Sequence, residues 1–203
     1  MLGKTVLISV VAAAALFVVT ETTFFQKHDL NFLPWDLRPV RDFVGVWKLL
    51  RIRGDRAPKY FPPADQLDFG INPIPKFGAR ILNLTSQFYV NGDPSNIYKT
   101  HFSFMPVKNA SRFDPRVHVA LLTTSSDGYS IMEQGLVQGR RINLMLKQYL
   151  KRSFDMGGST ANLNLFQLRR EYRLIGNDRL DVSMLIETNY GTDEFTATYK
   201  RIK

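Results

Sequence analysis

The feature that most constrains this chain is a long series of strand-length segments, each ended by a short turn sequence. Within the segments apolar and polar residues alternate, so that Ile142, Leu144 and Leu146 fall on one face of the stretch 140–147. Runs of this length that are rich in β-branched and aromatic residues predict β-strands. About ten such strands are predicted, at 43–53, 65–72, 77–90, 96–107, 115–124, 129–137, 140–154, 164–175, 178–189 and 193–202.

The turn sequences between the segments are short and rich in Gly, Asn and Asp. Examples are Asn91-Gly92-Asp93-Pro94, Ser126-Asp127-Gly128 and Gly176-Asn177-Asp178, all of which favour tight turns. Tight turns join antiparallel neighbours, and about ten such strands leave no exposed edges when they close into a barrel. The sequence therefore predicts an all-β fold, an up-and-down antiparallel barrel of about ten strands, with a short helix at 35–44 before it. A closed barrel encloses either a packed core or a cavity for one small molecule.

The first 20 residues have the layout of an export signal. Lys4 precedes an apolar run at 6–19, and a polar segment follows, as in a secretory signal peptide. A helix over this run would be about 20 Å long, shorter than the roughly 30 Å hydrocarbon core, which favours cleavage over spanning. The cleavage site expected after Thr20 has Val18 two residues before it and is not an Ala-x-Ala triplet, so an uncleaved signal-anchor stays open. Either alternative predicts a secreted or lumenal protein, divided into a leader (1–20), a linker with a short helix (21–41) and a barrel domain (42–203).

Composition excludes several kinds of chemistry. The chain has no cysteine, so disulfides, thiolate metal sites and thiol nucleophiles are excluded. Its three histidines, His28, His101 and His118, form no local metal-binding motif. The net charge of +9 is spread over single residues and pairs, which predicts no nucleic-acid partner and leaves open a weak attraction to anionic membranes or ligands. Direct membrane contact is otherwise expected only through an uncleaved leader.

Two glycosylation sequons agree with export. They are Asn83-Leu84-Thr85 and Asn109-Ala110-Ser111, and each matches the Asn-x-Ser/Thr acceptor pattern. Asn83 and Asn109 are therefore predicted glycosylation sites.

Several short motifs, taken in order, resemble those of a known family. Gly45-Val46-Trp47 after a short helical lead-in is similar to the opening of calycin barrels. The further motifs resemble, in order and spacing, the nitrobindin family, the haem-binding β-barrel domain that also ends some THAP-type zinc-finger proteins. The resemblance covers 42–203 and is carried by Asp65-Gln66-Leu67-Asp68-Phe69, Leu82-Asn83-Leu84-Thr85, 133–139, Lys151-Arg152-Ser153-Phe154, 168–174 and 197–202.

The resemblance implies a ten-stranded antiparallel barrel that holds haem b in one mouth. It also implies chemistry of ferric haem with nitric oxide and peroxynitrite, including isomerisation to nitrate, and a proximal histidine near the start of the last strand. In this chain that position is Glu194, and a carboxylate is a poor ligand for haem iron. The family's haem-contacting threonine corresponds to Pro63, and two glycines of its opening motif correspond to Leu49 and Arg51.

These departures lead to three alternative functions. The first is an exported nitrobindin-like barrel that binds a small, hydrophobic ligand and has lost haem ligation. The second is a haem protein acting on nitric oxide or peroxynitrite through His101, His118 or Tyr98. The third is a barrel with a filled interior, serving as a non-catalytic interaction module. No Gly-x-Ser-x-Gly motif is present, so serine hydrolysis has no support.

Two side chains have directions that the sequence leaves open. In the family's register Glu194 faces the cavity, whereas the alternation of Phe195, Ala197 and Tyr199 places it toward water. An inward Glu194 would require a cationic or hydrogen-bonding partner. Trp47 either lines a ligand pocket or seals the closed end of the barrel, and the second is the commoner role of a Trp in a first strand.

Overall fold

The structure, a computed structural model, describes residues 27–54, 58, 60–72, 80–152 and 162–203. The predicted leader (1–20) and the first six residues of the predicted linker (21–26) lie outside the described residues. Two short 3-10 helices, Leu30–Phe32 and Trp35–Phe43, come first, and the second is called the cap helix below. Ten strands follow: β1 Gly45–Gly54, β2 Gln66–Ile71, β3 Ile81–Val90, β4 Asp93–Lys108, β5 Val117–Ser125, β6 Tyr129–Gln138, β7 Arg141–Lys151, β8 Leu165–Ile175, β9 Arg179–Thr188 and β10 Gly191–Arg201.

The strands form one closed antiparallel barrel. Each strand pairs with its neighbours in the chain, and β1 pairs with β10 to close the ring. The predicted all-β up-and-down barrel and the short helix before it are thus confirmed. Most strand bounds agree within two residues. The strand β4 begins at Asp93 rather than 96 because Asn91 and Gly92, with φ of 53° and 75°, make a two-residue turn. The strand β3 begins at Ile81 rather than 77 and β7 ends at Lys151 rather than 154, and the predicted residues 77–79 and 153–154 lie outside the described residues. In the described residues no helix is long and apolar enough to cross a membrane.

In an up-and-down barrel, successive connections between strands alternate between the two ends. One end, called the closed end, carries the cap helix and the connections 72–80, 109–116, 139–140 and 176–178. The other end, called the mouth, carries the connections 55–65, 91–92, 126–128, 152–164 and 189–190. The chain enters the barrel at the closed end, where the amide of Ile71 donates to the carbonyl of Lys27.

The closed end is filled by apolar side chains from the cap helix. Leu37, Val40 and Phe43 are buried and belong to the same apolar core as Trp47, which is fully buried. Trp47 Nε1 donates to the carbonyl of Phe43 at 2.9 Å, so the indole is both packed and hydrogen-bonded, as buried Trp usually is. The guanidinium of Arg201 lies 4.2 Å from the Trp47 ring centroid, which adds a cation–π contact.

The barrel wall is looser near the mouth. In the described residues β7 and β8 pair only between 141–145 and 169–173, although β7 continues to Lys151. Beyond that ladder side chains connect the two sides, with Tyr149 Oη donating to the carbonyl of Leu163 at 3.3 Å and Lys151 Nζ to Asn164 Oδ1 at 2.9 Å. Side-chain bonds therefore replace backbone pairing in this part of the rim.

Candidate functional site

A small cavity lies inside the barrel below the mouth. Its volume is about 40 Å³, enough for one or a few water molecules. Its walls are mostly apolar and aromatic, and polar side chains project into it from several strands. The lining residues are 61–64, Leu67, Ser86, Phe88, His101, Thr123, Tyr129, Ile131, Arg170, Tyr172, Val182, Met184, Phe195 and Tyr199.

The segment 61–64 forms the roof of this cavity. Phe61 is 5% exposed, and its ring meets Tyr129 edge-on, with centroids 5.7 Å apart. Tyr199 Oη donates to the carbonyl of Ala64 at 2.9 Å, which ties the roof to β10. Pro62 and Pro63 fix their own φ angles, so the roof has little backbone freedom to lose on packing.

His101 stands on β4 at the side of the cavity. Its Nε2 lies 3.1 Å from Tyr129 Oη, and its ring centroid lies 4.8 Å from that of Phe88. Burial, together with the positive charges of Lys99 and Arg170, lowers the pKa of His101 to about 3. The imidazole is therefore neutral at physiological pH, and a neutral imidazole can accept a hydrogen bond or bind a metal.

A buried ion pair joins β6 and β8 beside the cavity. Arg170 Nε donates to Glu133 Oε1 at 3.1 Å, and Arg170 Nη1 donates to Tyr172 Oη at 3.0 Å. Glu133 is fully buried, and its Oε2 has no hydrogen-bond partner in the described residues. Burial raises the pKa of Glu133, while Arg170 opposes that shift.

Arg170 also presents an unused donor. It lines the cavity, and in the described part of the chain no hydrogen bond uses its Nη2. A guanidinium is a strong donor to carboxylates and other oxygen acceptors. The cavity therefore combines apolar walls with one cationic donor and one neutral imidazole.

Two of the residues singled out in the sequence line this cavity. Pro63 lies in its roof and His101 in its wall. Trp47 lies at the opposite end of the barrel, in the core under the cap helix. Glu194 is exposed on the outer face while its neighbour Phe195, 2% exposed, points inward, as the apolar alternation of β10 predicts.

The other singled-out residues lie away from the cavity. His118 is on the outer face, where its Nε2 lies 2.6 Å from Asp114 Oδ2, and Tyr98 is 57% exposed. The amide nitrogen of Asn83 donates to Asn72 Oδ1 at 3.1 Å and that of Asn109 to the carbonyl of Asp36 at 2.9 Å. Glycosylation at either asparagine stays a prediction, and it would replace one of the two hydrogens on the nitrogen that makes this bond.

The Glu133–Arg170 pair was not singled out from the sequence, although a signal for it exists. Glu133 follows Tyr129 and Ile131 at the inward positions of β6, and Arg170 lies between Leu168 and Tyr172 at the inward positions of β8. Opposite charges at inward positions of nearby strands indicate a buried pair. Among the residues described, no group of three His, Asp or Glu side chains is placed to hold a metal ion.

Comparison with known proteins supports the fold. No protein-family profile matches the chain, and no curated protein sequence matches it significantly. A solved structure, that of Rv2717c from M. tuberculosis, matches with a TM-score of 0.55 and 19% identity, covering 84% of this chain and 99% of that one. At this identity the similarity shows a shared fold, and it is consistent with a calycin-like barrel.

Proposed function

We propose that this protein is a nitrobindin-like barrel that binds a small, mainly hydrophobic ligand at its mouth. The observation that carries the proposal is the cavity itself, in which Arg170 and His101 project between apolar walls. A few convergent polar groups in an apolar pocket are the usual form of a small-molecule site.

The walls of the cavity define the chemistry of the ligand. Phe88, Met184 and Phe195 supply apolar surface for its body, and Arg170 Nη2 supplies a donor for one acceptor group. A volume of about 40 Å³ admits few atoms, so a ligand the size of a phenyl ring has to take the place of the Phe61 side chain. We therefore propose a small apolar molecule with one carboxylate or similar oxygen acceptor.

Haem ligation at residue 194 is not part of this proposal, because Glu194 is exposed on the outer face. A second candidate function rests on His101, which lines the cavity and is neutral because its pKa is lowered to about 3. A neutral imidazole is the commonest protein ligand of haem iron. In this alternative His101 would hold haem, which would supply chemistry with nitric oxide or peroxynitrite, as the resemblance implies. A cavity of about 40 Å³ does not accommodate haem, so the roof 61–64 would have to open.

Benzoate tests the first candidate, with benzyl alcohol and benzylamine as matched probes. Calorimetry or ¹H–¹⁵N NMR titration of the full chain should show saturable 1:1 binding of benzoate and at least tenfold weaker binding of benzylamine. Two neighbouring substitutions locate the site: Phe195→Trp fills the cavity and should abolish binding, whereas Glu194→Trp, on the opposite face, should leave it intact. Equal effects of both substitutions, or no saturable benzoate binding, would reject the proposal.

A haem titration decides the second candidate. A sharp Soret band with a 1:1 endpoint that disappears in His101→Ala would favour it. If neither haem nor benzoate binds, the filled barrel acting as an interaction module is the remaining alternative. Export of the barrel and the fate of the leader are separate proposals, tested by the N-terminal sequence of the mature protein.

A further inference from the structure

The closed end of the barrel exposes large aromatic side chains. Phe113, in the β4–β5 connection, is 96% exposed, and Trp35 and Phe32 are 65% and 53% exposed. Single exposed apolar residues are common, but several of them at one end of a domain indicate an interaction surface. The mouth also exposes aromatic side chains, such as Phe166 and Tyr190, so the choice of the closed end rests further on its charge and on where the chain enters.

Two contacts bring the segments that carry these residues together. Asn109 Nδ2 donates to the carbonyl of Asp36 at 2.9 Å, which ties the β4–β5 connection to the cap helix. Arg80 Nη1 lies 3.6 Å from Asp36 Oδ1, which adds the start of β3 to the same contact. Phe113 and Trp35 thus belong to one continuous end of the molecule.

This end is also strongly basic. Its exposed cationic side chains include Arg38, Lys108, Arg112, Arg140, Arg141 and Arg179. Two of its acidic side chains are already engaged, since Asp36 lies near Arg80 and Asp114 accepts from Arg116 at 2.9 Å. Asp42 and Asp178 are exposed among these basic residues but are outnumbered by them, and exposed acidic residues such as Asp93 and Glu187 also lie at the mouth.

The chain outside the described residues joins the barrel at this same end. The carbonyl of Lys27 accepts from the amide of Ile71 at the end of β2, and the preceding sequence contains the apolar run 6–19. Aromatic residues next to an apolar segment are typical of the membrane interface, and clusters of Lys and Arg bind anionic headgroups.

We propose that the closed end docks on the surface of a bilayer that contains anionic lipids, with the mouth turned away from it. In this arrangement Trp35, Phe32 and Phe113 enter the interfacial region, and the arginines around them face the lipid phosphates. An amphipathic surface of this kind binds through apolar burial together with attraction to anionic lipid. The proposal does not depend on the ligand of the barrel.

The two tryptophans of the chain provide the test. Trp35 is 65% exposed at the proposed surface, whereas Trp47 is fully buried and serves as an internal control. The full chain is placed in phosphatidylcholine vesicles with brominated acyl chains, with or without phosphatidylserine. We expect Trp emission to be quenched only with phosphatidylserine, and the quenching to disappear in Trp35→Phe.

Matched variants separate docking from mere tethering by the leader. Reversal of three charges, Arg112→Glu, Arg140→Glu and Arg141→Glu, should reduce the quenching at least several-fold, and Phe113→Ser should weaken it. Phe104→Ser is the control, because Phe104 is 49% exposed on the lateral face of the barrel and should have no effect. Quenching that is equal without phosphatidylserine, or unchanged by charge reversal, would mean that the leader alone holds the chain there and would overturn the proposal.

Discussion

The two ends of this barrel are built from different kinds of side chain. Under the cap helix, Leu37, Val40 and Trp47 fill the space with apolar atoms, and the one polar atom of the indole is satisfied. Below the mouth, Glu133 and Arg170 are brought into the barrel, and Glu133 Oε2 has no partner in the described residues. Buried polar atoms without a hydrogen-bond partner in the described residues also occur at the closed end, as at Asp36 Oδ1, but a buried carboxylate and guanidinium carry a larger desolvation cost. The comparison indicates that the side chains of the closed end stabilise the fold, whereas those below the mouth are not the ones that would give the most stable barrel.

The largest expected effect is the difference in stability between the variants Trp47→Ala and Trp35→Ala. Loss of the buried indole should reduce the free energy of unfolding by about 3–5 kcal/mol, because it removes apolar burial and leaves a cavity. Loss of the exposed Trp35 should change it by no more than about 0.5 kcal/mol. Urea denaturation of both variants measures the contrast, and similar losses would show that the closed end is not packed as described.

At the mouth, Arg170→Met should cost about 3–5 kcal/mol, because it leaves the Glu133 charge buried and unpaired. The double variant Glu133→Gln/Arg170→Met should recover much of that loss, since no charge remains. Because burial raises the pKa of Glu133 in the folded state, the folded state binds this proton more tightly than the unfolded chain does. The single variant should therefore lose stability as pH rises from 5 to 7, and the double variant should not.

The same reasoning gives the opposite pH dependence for His101. Burial lowers its folded pKa to about 3, while the unfolded side chain takes up a proton near pH 6.5. Stability should therefore fall as pH drops from about 6.5 toward 3, by at most about 1.4 kcal/mol per pH unit from this group. His101→Phe should flatten that part of the profile of urea midpoint against pH.

The smallest expected effect is at Glu194. Because Glu194 is exposed, Glu194→Gln should alter the free energy of unfolding by less than about 0.5 kcal/mol. Glu194→His should likewise fail to create haem binding, since an imidazole there would point to solvent. A new Soret band in Glu194→His would show that β10 has the family's inward register at this position.

The sequence predicted the strands and their order because turn chemistry and period-2 alternation act locally. The turn at Asn91 and Gly92 and the alternation of Phe195, Ala197 and Tyr199 are examples in which neighbours alone decide the outcome. The direction of Glu194 followed from that alternation, whereas the register taken from the resemblance placed it inward.

What the sequence could not supply depends on residues that are far apart in the chain. Glu133 and Arg170 lie 37 positions apart, and Tyr199 and Ala64 lie 135 positions apart. Strand irregularities add to the difficulty, because the register shift between Met132 and Glu133 changes which residues of β7 face each position of β6. The size of the cavity follows from all of these contacts at once, and so it appears only in the folded barrel.

Closure of the ring by β1 and β10 has a consequence for how the protein is made. Arg201 Nη1 donates to the carbonyl of Val44, 157 positions earlier in the chain. At about 5–20 residues per second, a ribosome takes on the order of ten to thirty seconds to synthesise the intervening chain. During that time β1 has an unpaired edge and can pair with other chains. Newly made barrels should therefore depend on chaperones until β10 emerges.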